Sequence, residues 1–389
     1  MIKTMTAFTD EVDDIEFAMD DLVGKLDLDG LLASSLGIVA CNREFTETDV
    51  VKALCERLRF PVLGATTNAC AVSGSEGNMA PLSILIMTSD DVTFRTSLTC
   101  DLTDDYRAQI REAWKEAVAG QDTAPALVLT FLPLLSPVSG GALLDELFAV
   151  AQGTPVFGTM AVTEEAAFGS SKILYDGEFY RERMGLVLIY GDVRPRFFLG
   201  TVSEEKYLKS KGVISDVRDG SVLVGVSGKS ARDFLVDLGL TADETGTLLF
   251  PWLFPVAVDF NDGSTPILRA MLSTTPDGAV TLAGDVPVGA TLSVSNIDAQ
   301  EVALVAQKTL AAVAEIDDRS AVLLHSCAAR YHVAEAVDSE LEVGIVRERL
   351  DDKGGYMISF SAGEICPVPT QSGNLENRFH NFTIIACVI

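Results

Sequence analysis

One pattern of apolar runs occurs three times in this 389-residue chain. Recurrence of that kind constrains the fold more than any single segment can. Each copy reads as a short apolar strand, a helix, a second apolar strand entering a small turn, and a closing strand. The first copy starts at Gly37-Ile38-Val39-Ala40-Cys41, runs through a helix over residues 46–59 into Pro61-Val62-Leu63-Gly64-Ala65-Thr66-Thr67, and closes over 84–87. The second places strands over 126–131, 155–160 and 185–190, with a helix over 141–152. The third places strands over 321–327, 356–361 and 382–388, with a helix over 333–349.

A further helix precedes each copy. Ile15, Met19, Leu22 and Leu26 share one face of residues 12–26, Ile110, Trp114 and Val118 one face of 105–119, and Val302, Leu304, Val305 and Leu310 one side of 298–316. Strands joined through a helix lie parallel with right-handed crossovers, while the closing strand of each unit can return antiparallel. The expected fold is α/β, with mixed sheets built from three repeated α-β-α-β-β units. Between residues 202 and 296 the pattern breaks into short apolar runs separated by turns such as Asn261-Asp262-Gly263 and Thr275-Pro276-Asp277-Gly278. That segment predicts a β-rich insert between the second and third units. A two-domain division follows, residues 1–215 holding two units and residues 216–389 holding the insert and the third.

Hydrophobic residues form 48% of the chain and charged residues 22%, ample for a packed core and far from the composition of disorder. The net charge of −27 repels phosphate backbones and anionic lipid, so neither nucleic acid nor a membrane is an expected partner. The seven cysteines are scattered without a C-x-x-C, there is no secretory leader, and no apolar run approaches the roughly 20 residues of a membrane span. A reduced, cytoplasmic protein is expected; the sequence leaves the oligomeric state open.

Ligands of open α/β sheets bind outside the carboxyl ends of the parallel strands. Those ends carry Cys41-Asn42-Arg43, Thr66-Thr67-Asn68, Thr159, Cys327-Ala328-Ala329-Arg330 and Gly363-Glu364. Arg43 and Arg330 each follow a strand-end cysteine, where a guanidinium can grip a carboxylate with two charged hydrogen bonds. No nucleophile elbow, P-loop, dinucleotide fingerprint or zinc-protease motif occurs. His325, His332 and His380 are the chain's histidines, so a haem or metal ligand has few candidates. Cys327 as nucleophile, with His325 or His380 as base, is the enzymatic alternative.

Several runs resemble one known family. Leu323-Leu324-His325-Ser326-Cys327-Ala328-Ala329-Arg330 is similar to the F-S-C-x-x-R stretch of the FIST C-terminal domain. Gly363-Glu364-Ile365-Cys366-Pro367 and Phe379-His380-Asn381-Phe382-Thr383 resemble its closing G-E-I-x-P and H-N-x-T segments. Gly228-Lys229-Ser230-Ala231 resembles its G-K-P-A turn, and Arg269 matches the arginine of its V-R strand. Pro61 to Thr67 resembles the V-I-G-C-T-T segment of the FIST N-terminal domain. The chain departs from the pattern at Asn68-Ala69-Cys70, where the family has G-E-I, and at His325, where an aromatic is usual.

The resemblance implies a non-enzymatic sensory protein of bacterial signalling. Its ligand is expected to be a small polar metabolite such as an amino acid, and its output a separate signalling protein. No cofactor is expected, although relatives that bind haem and report nitric oxide keep that alternative open. Arg330 or Arg43 would hold the ligand's carboxylate, and Glu364 and Asn381 an amine or hydroxyl. Thr66, Thr67, Arg269, Cys327, Gly363 and His380 complete the expected site. Residues 366–378, rich in Pro, Ser, Gly and Asn, are expected to form an exposed irregular loop that brings Glu364 near His380 and Asn381.

Overall fold

Three sheets stand around one apolar centre, each with its helices on the outside. The computed structural model describes residues 2–75, 79–135, 138–163, 170–249, 253–351 and 354–389. The first sheet runs Lys3–Thr9, Leu82–Ser89, Ser34–Cys41, Val62–Thr66, Ile173–Tyr175, Glu178–Tyr180. The second runs Thr93–Leu98, Gly185–Tyr190, Leu127–Leu132, Val156–Met160, Glu364–Pro369, Leu375–His380. The third runs Arg196–Gly200, Ile384–Val388, Ala321–Cys327, Gly355–Ser361, Cys70–Val72. In each, the pair joined by a crossover helix is parallel and its other neighbours are antiparallel. The protein is mixed α/β.

The alternation of each strand divides its side chains between two cores. Leu36, Ile38, Leu63, Phe131, Phe157 and Leu323 point inward and meet those of the other sheets at the centre. The opposite faces pack under helices: Ile15–Leu22 and Val50–Leu58 on the first sheet, Tyr106–Val118 and Gly140–Ala151 on the second, Ala299–Ala314 and Leu341–Leu350 on the third. Side chains on these helix faces are almost all fully buried, each contributing about 1.5–3 kcal/mol.

The observed units differ from the expected α-β-α-β-β string in three ways. Each begins with a strand ahead of its first helix, namely Lys3–Thr9, Thr93–Leu98 or Arg196–Gly200. These are short strands of five to seven residues at the sheet edges. Each unit also sends strand to a neighbouring sheet. Cys70–Val72 of the first joins the third sheet, Ile173–Tyr180 of the second joins the first, and Glu364–His380 of the third joins the second. Finally, the helix expected over 333–349 is two helices, Ala328–Glu335 and Leu341–Leu350. The break falls at Asp338, whose carboxylate takes the Glu340 amide at 2.9 Å and so competes with helical bonding.

The expected irregular loop over 366–378 is instead a hairpin of Glu364–Pro369 and Leu375–His380. Pro367 and Pro369 are tolerated because that strand pairs with Val156–Met160 only at Glu364 and Ile365, leaving the rest an edge. The insert is a separate antiparallel sheet built from strands between Gly212 and Val294, with helix Ala231–Asp237 and its own core around Ile214, Leu235, Val256 and Leu292. Residues 250–252 of that segment lie outside the described residues. Among the described residues, no helix is long and apolar enough to cross a membrane.

Candidate functional site

The carboxyl ends of the parallel strands of the three sheets close on one another in a ring of hydrogen bonds. The Val162 amide donates to the Thr66 carbonyl at 3.0 Å, the Ala362 amide to the Met160 carbonyl at 2.9 Å, and the Phe360 amide to the Ala69 carbonyl at 3.1 Å. Beside this ring, where the insert folds back over the second and third sheets, lies a cavity of about 650 Å³. Leu134 and Met160 wall it from the second unit, Met271 and Leu282 from the insert, and Phe379 and Phe382 from the third unit. Cys327, Ser361 and Asn381 supply polar atoms, with His332 and Glu335 along the helix Ala328–Glu335. A cleft of about 700 Å³ lies at the opposite ends of the sheets, where the Arg196 guanidinium grips Asp318 with two 2.9 Å bonds. Its charges answer one another, which makes it the weaker candidate.

Of the ten expected ligand residues, Cys327 and Asn381 line the cavity and the other eight, both carboxylate-gripping arginines included, do not. Arg330 is fully buried and engaged: its Nη2 donates to Glu342 Oε1 at 2.7 Å and to the Val302 carbonyl at 3.1 Å. Ser326 Oγ holds the other Glu342 oxygen at 2.9 Å. The expectation that Arg330 grips a ligand carboxylate is therefore corrected: an internal carboxylate already holds it. Arg43 opens a short turn over Arg43–Glu47 and sits 3.6 Å from Glu47. It too is absent from the cavity wall.

Glu364 is also fully buried behind the wall. It lies directly across from His380 in the hairpin register. Ser361 Oγ donates to one of its oxygens, and Thr383 donates to the other through Oγ1 at 2.7 Å and through its amide at 3.3 Å. Burial nevertheless outweighs these bonds and pushes its carboxyl up to about 8. The His380 ring meets the Cys366 carbonyl through Nε2 at 3.1 Å, and burial holds it down at about 3. His325 is likewise held at about 3 by burial, with Nδ1 2.9 Å from Ser359 Oγ and its ring stacked on Phe157. Neither histidine makes a hydrogen bond to Cys327, so the geometry of a cysteine–histidine pair is not present among the described residues.

Cys327 and Asn381 do reach the cavity. Cys327 caps the start of helix Ala328–Glu335, and its sulfur faces the amides of Phe382 and Ala329. Desolvation dominates, raising the thiol well above its ordinary range and keeping it protonated. Phe382 adopts φ +57°, the left-handed region that a bulky side chain enters only under strain of about 1–3 kcal/mol. Asn381 is 1% exposed; its Nδ2 donates to the His380 carbonyl at 2.9 Å, while its Oδ1 has no hydrogen-bond partner.

Thr66 and Thr67 belong to the ring rather than the cavity. Thr67 Oγ1 donates to the Phe360 carbonyl at 2.8 Å, and Thr66 Oγ1 accepts the Lys172 amide at 2.9 Å. Arg269 ties the insert to the body, donating from Nη1 to the Phe379 carbonyl at 2.9 Å and from Nε to the Asp285 carbonyl at 3.2 Å. Its burial lowers the guanidinium to about 10. Gly363 lets the Phe379 ring approach, since a Cβ there would stand 2.3 Å from two ring carbons. Gly363→Ala is expected to push Phe379 off the cavity wall and cost about 1–3 kcal/mol, seen as a lower thermal midpoint. An unchanged midpoint would mean the ring yields freely. Sequence reasoning missed the apolar wall, because Leu134 and Leu282 sit in loops and an insert that carry no chemical signature of their own.

Residues 35–229 match the FIST N domain, and residues 231–367 match the FIST C domain. The chain belongs to the FIST family. FIST domains are sensory domains of signal transduction. No curated protein matches the chain. Among solved structures, cyanuric acid hydrolase from A. caulinodans is similar at 12% identity and a TM-score of 0.38, over 100% of this chain and 99% of that one. A second cyanuric acid hydrolase structure is similar at 11% identity and a TM-score of 0.33, over 100% of this chain and 98% of that one. Likeness at this level carries no argument about chemistry.

Proposed function

We propose that this FIST protein senses a small molecule taken into the cavity between the insert and the second and third units. The signal would pass to a separate output protein through closure of the insert on the body. The cavity itself carries the reading. Its volume of about 650 Å³ falls within the roughly 300–1,000 Å³ of small-molecule sites, and it lies outside the carboxyl ends of parallel strands. Ligand binding there would bridge elements that Arg269–Phe379 and Ser139–Asp285 already hold together.

A thermal-shift screen of a metabolite library tests the proposal against a blocked variant. Leu272 lines the cavity and is 50% exposed, so Leu272→Trp leaves the core alone while its indole fills the opening. A ligand at 100 times its Kd should stabilise the wild type by about 2.7 kcal/mol and the variant far less. Hits that stabilise both equally would place binding elsewhere and end this reading.

Haem-based gas sensing is the second reading, favoured by His332. It is the histidine on the apolar cavity wall, and its Nδ1 sits 3.2 Å from Glu335, an orienting partner of the kind axial ligands use. A Soret band on reconstitution that is lost in His332→Ala would support it.

A further inference from the structure

We infer that the ligand is a neutral or cationic amphiphile, an apolar body ending in an amine or hydroxyl rather than a carboxylate or phosphate. The inference rests on the cavity as the sensory site and narrows what that site accepts.

The wall decides the charge. Among the described residues that line the cavity there is no lysine or arginine. The buried arginines stand behind the wall and do not line it, Arg330 paired with Glu342 and with Nη1 left unpartnered, Arg269 held by the carbonyls of Asp285 and Phe379. Glu335 is the acidic residue on the wall. An anion would therefore give up its hydration with no cation to meet it, a penalty of several kcal/mol. The net charge of −27 also repels it on approach. One feature favours an anion, the start of helix Ala328–Glu335, but the partial charge of a short helix is small beside the missing cation.

The polar floor decides the end group. Asn381 Nδ2 is engaged by the His380 carbonyl, and the Ser361 hydroxyl gives its hydrogen to Glu364. Among the described residues that line the cavity, the buried polar atom left without a partner is an acceptor, Asn381 Oδ1. An unmet buried acceptor costs about 1–3 kcal/mol, which a ligand N–H or O–H would recover. Met160, Met271, Leu282 and Phe379 then enclose the apolar body, and two thioethers adapt to its outline.

A matched series tests the idea on the unaltered protein: 2-phenylethylamine, 2-phenylethanol and phenylacetate share one apolar body and differ in the end group. Calorimetric titration is expected to find the amine and alcohol bound at least tenfold more tightly than phenylacetate. Asn381→Leu is expected to weaken the amine and alcohol about tenfold and leave phenylacetate unchanged. Phenylacetate binding best, or no member binding, overturns the inference, and the wild-type series decides this even if the variant does not fold. The two proposals fail distinguishably. Library hits that are carboxylates yet vanish in Leu272→Trp leave the cavity standing and remove only the ligand class. Hits indifferent to Leu272→Trp remove both.

Discussion

Arg330→Ala is expected to destabilise the protein by about 3–5 kcal/mol, the usual cost of leaving one member of a buried ion pair alone. Glu342 would keep only the Ser326 hydroxyl in an otherwise apolar setting between the helices Ala299–Ala314 and Leu341–Leu350. Both charges are almost wholly buried, so little solvent screening softens the loss. Replacing both partners, Arg330→Met with Glu342→Leu, should recover more than half, because no unpaired charge is left. Urea midpoints for the wild type, single and double variants measure this directly. A single variant as stable as the wild type would mean that the pair contributes nothing. The direction also separates two roles: a ligand-gripping arginine would lose binding and keep the fold, whereas this one should lose the fold.

Stability should pass through a maximum near pH 6.5. His325 and His380 titrate near 6.5 when unfolded but are held at about 3 when folded, so between those values the unfolded chain carries more protons. Stability therefore falls as pH drops through that window, by about 1.4 kcal/mol per pH unit for each histidine. Glu364 acts in the opposite sense. Its folded value of about 8 against 4.5 means the folded state holds the extra proton, and stability falls as pH rises between them. Above about pH 7.5 the histidines are silent in both states and the Glu364 effect stands alone; over its whole window it amounts to something on the order of 5 kcal/mol. Glu364→Gln should abolish the decline from pH 6.5 to 8 and steepen the fall on the acid side between 6.5 and 4.5, where Glu364 otherwise offsets one histidine. Parallel urea midpoints for wild type and variant across that interval would show Glu364 ionised in the fold.

The parallel pairs and their helices were legible in the sequence because each combines a continuous apolar run with helical periodicity. Leu36–Cys41, Leu127–Leu132 and Ala321–Cys327 are buried on both faces, and no charged residue interrupts them. The edge strand Lys3–Thr9 was not, since Lys-Thr-Met-Thr-Ala-Phe-Thr alternates weakly and a one-sided strand needs only a weak pattern. The exchanged hairpins were invisible for another reason: periodicity reports that a segment is a strand, never which sheet receives it. The site was read in halves. The strand-end rule singled out Cys327 and the family resemblance Asn381, and both line the cavity. Arg330 looked like a ligand contact because its partner Glu342 lies 12 residues on, across a helix break that composition alone does not reveal.

The exchange of strands between units bears on how the chain is made. As it leaves the ribosome, the second sheet has its first four strands once Tyr190 emerges, but Val156–Met160 stays an open edge until Glu364–His380 follows. The third sheet, in turn, must find Cys70–Val72, which was synthesised some 280 residues before its neighbour Gly355–Ser361. No unit can close by itself, and the half that is finished first must keep an unpaired edge from meeting another copy of itself. Completion is therefore a single late event, governed by the last stretch of the chain to appear.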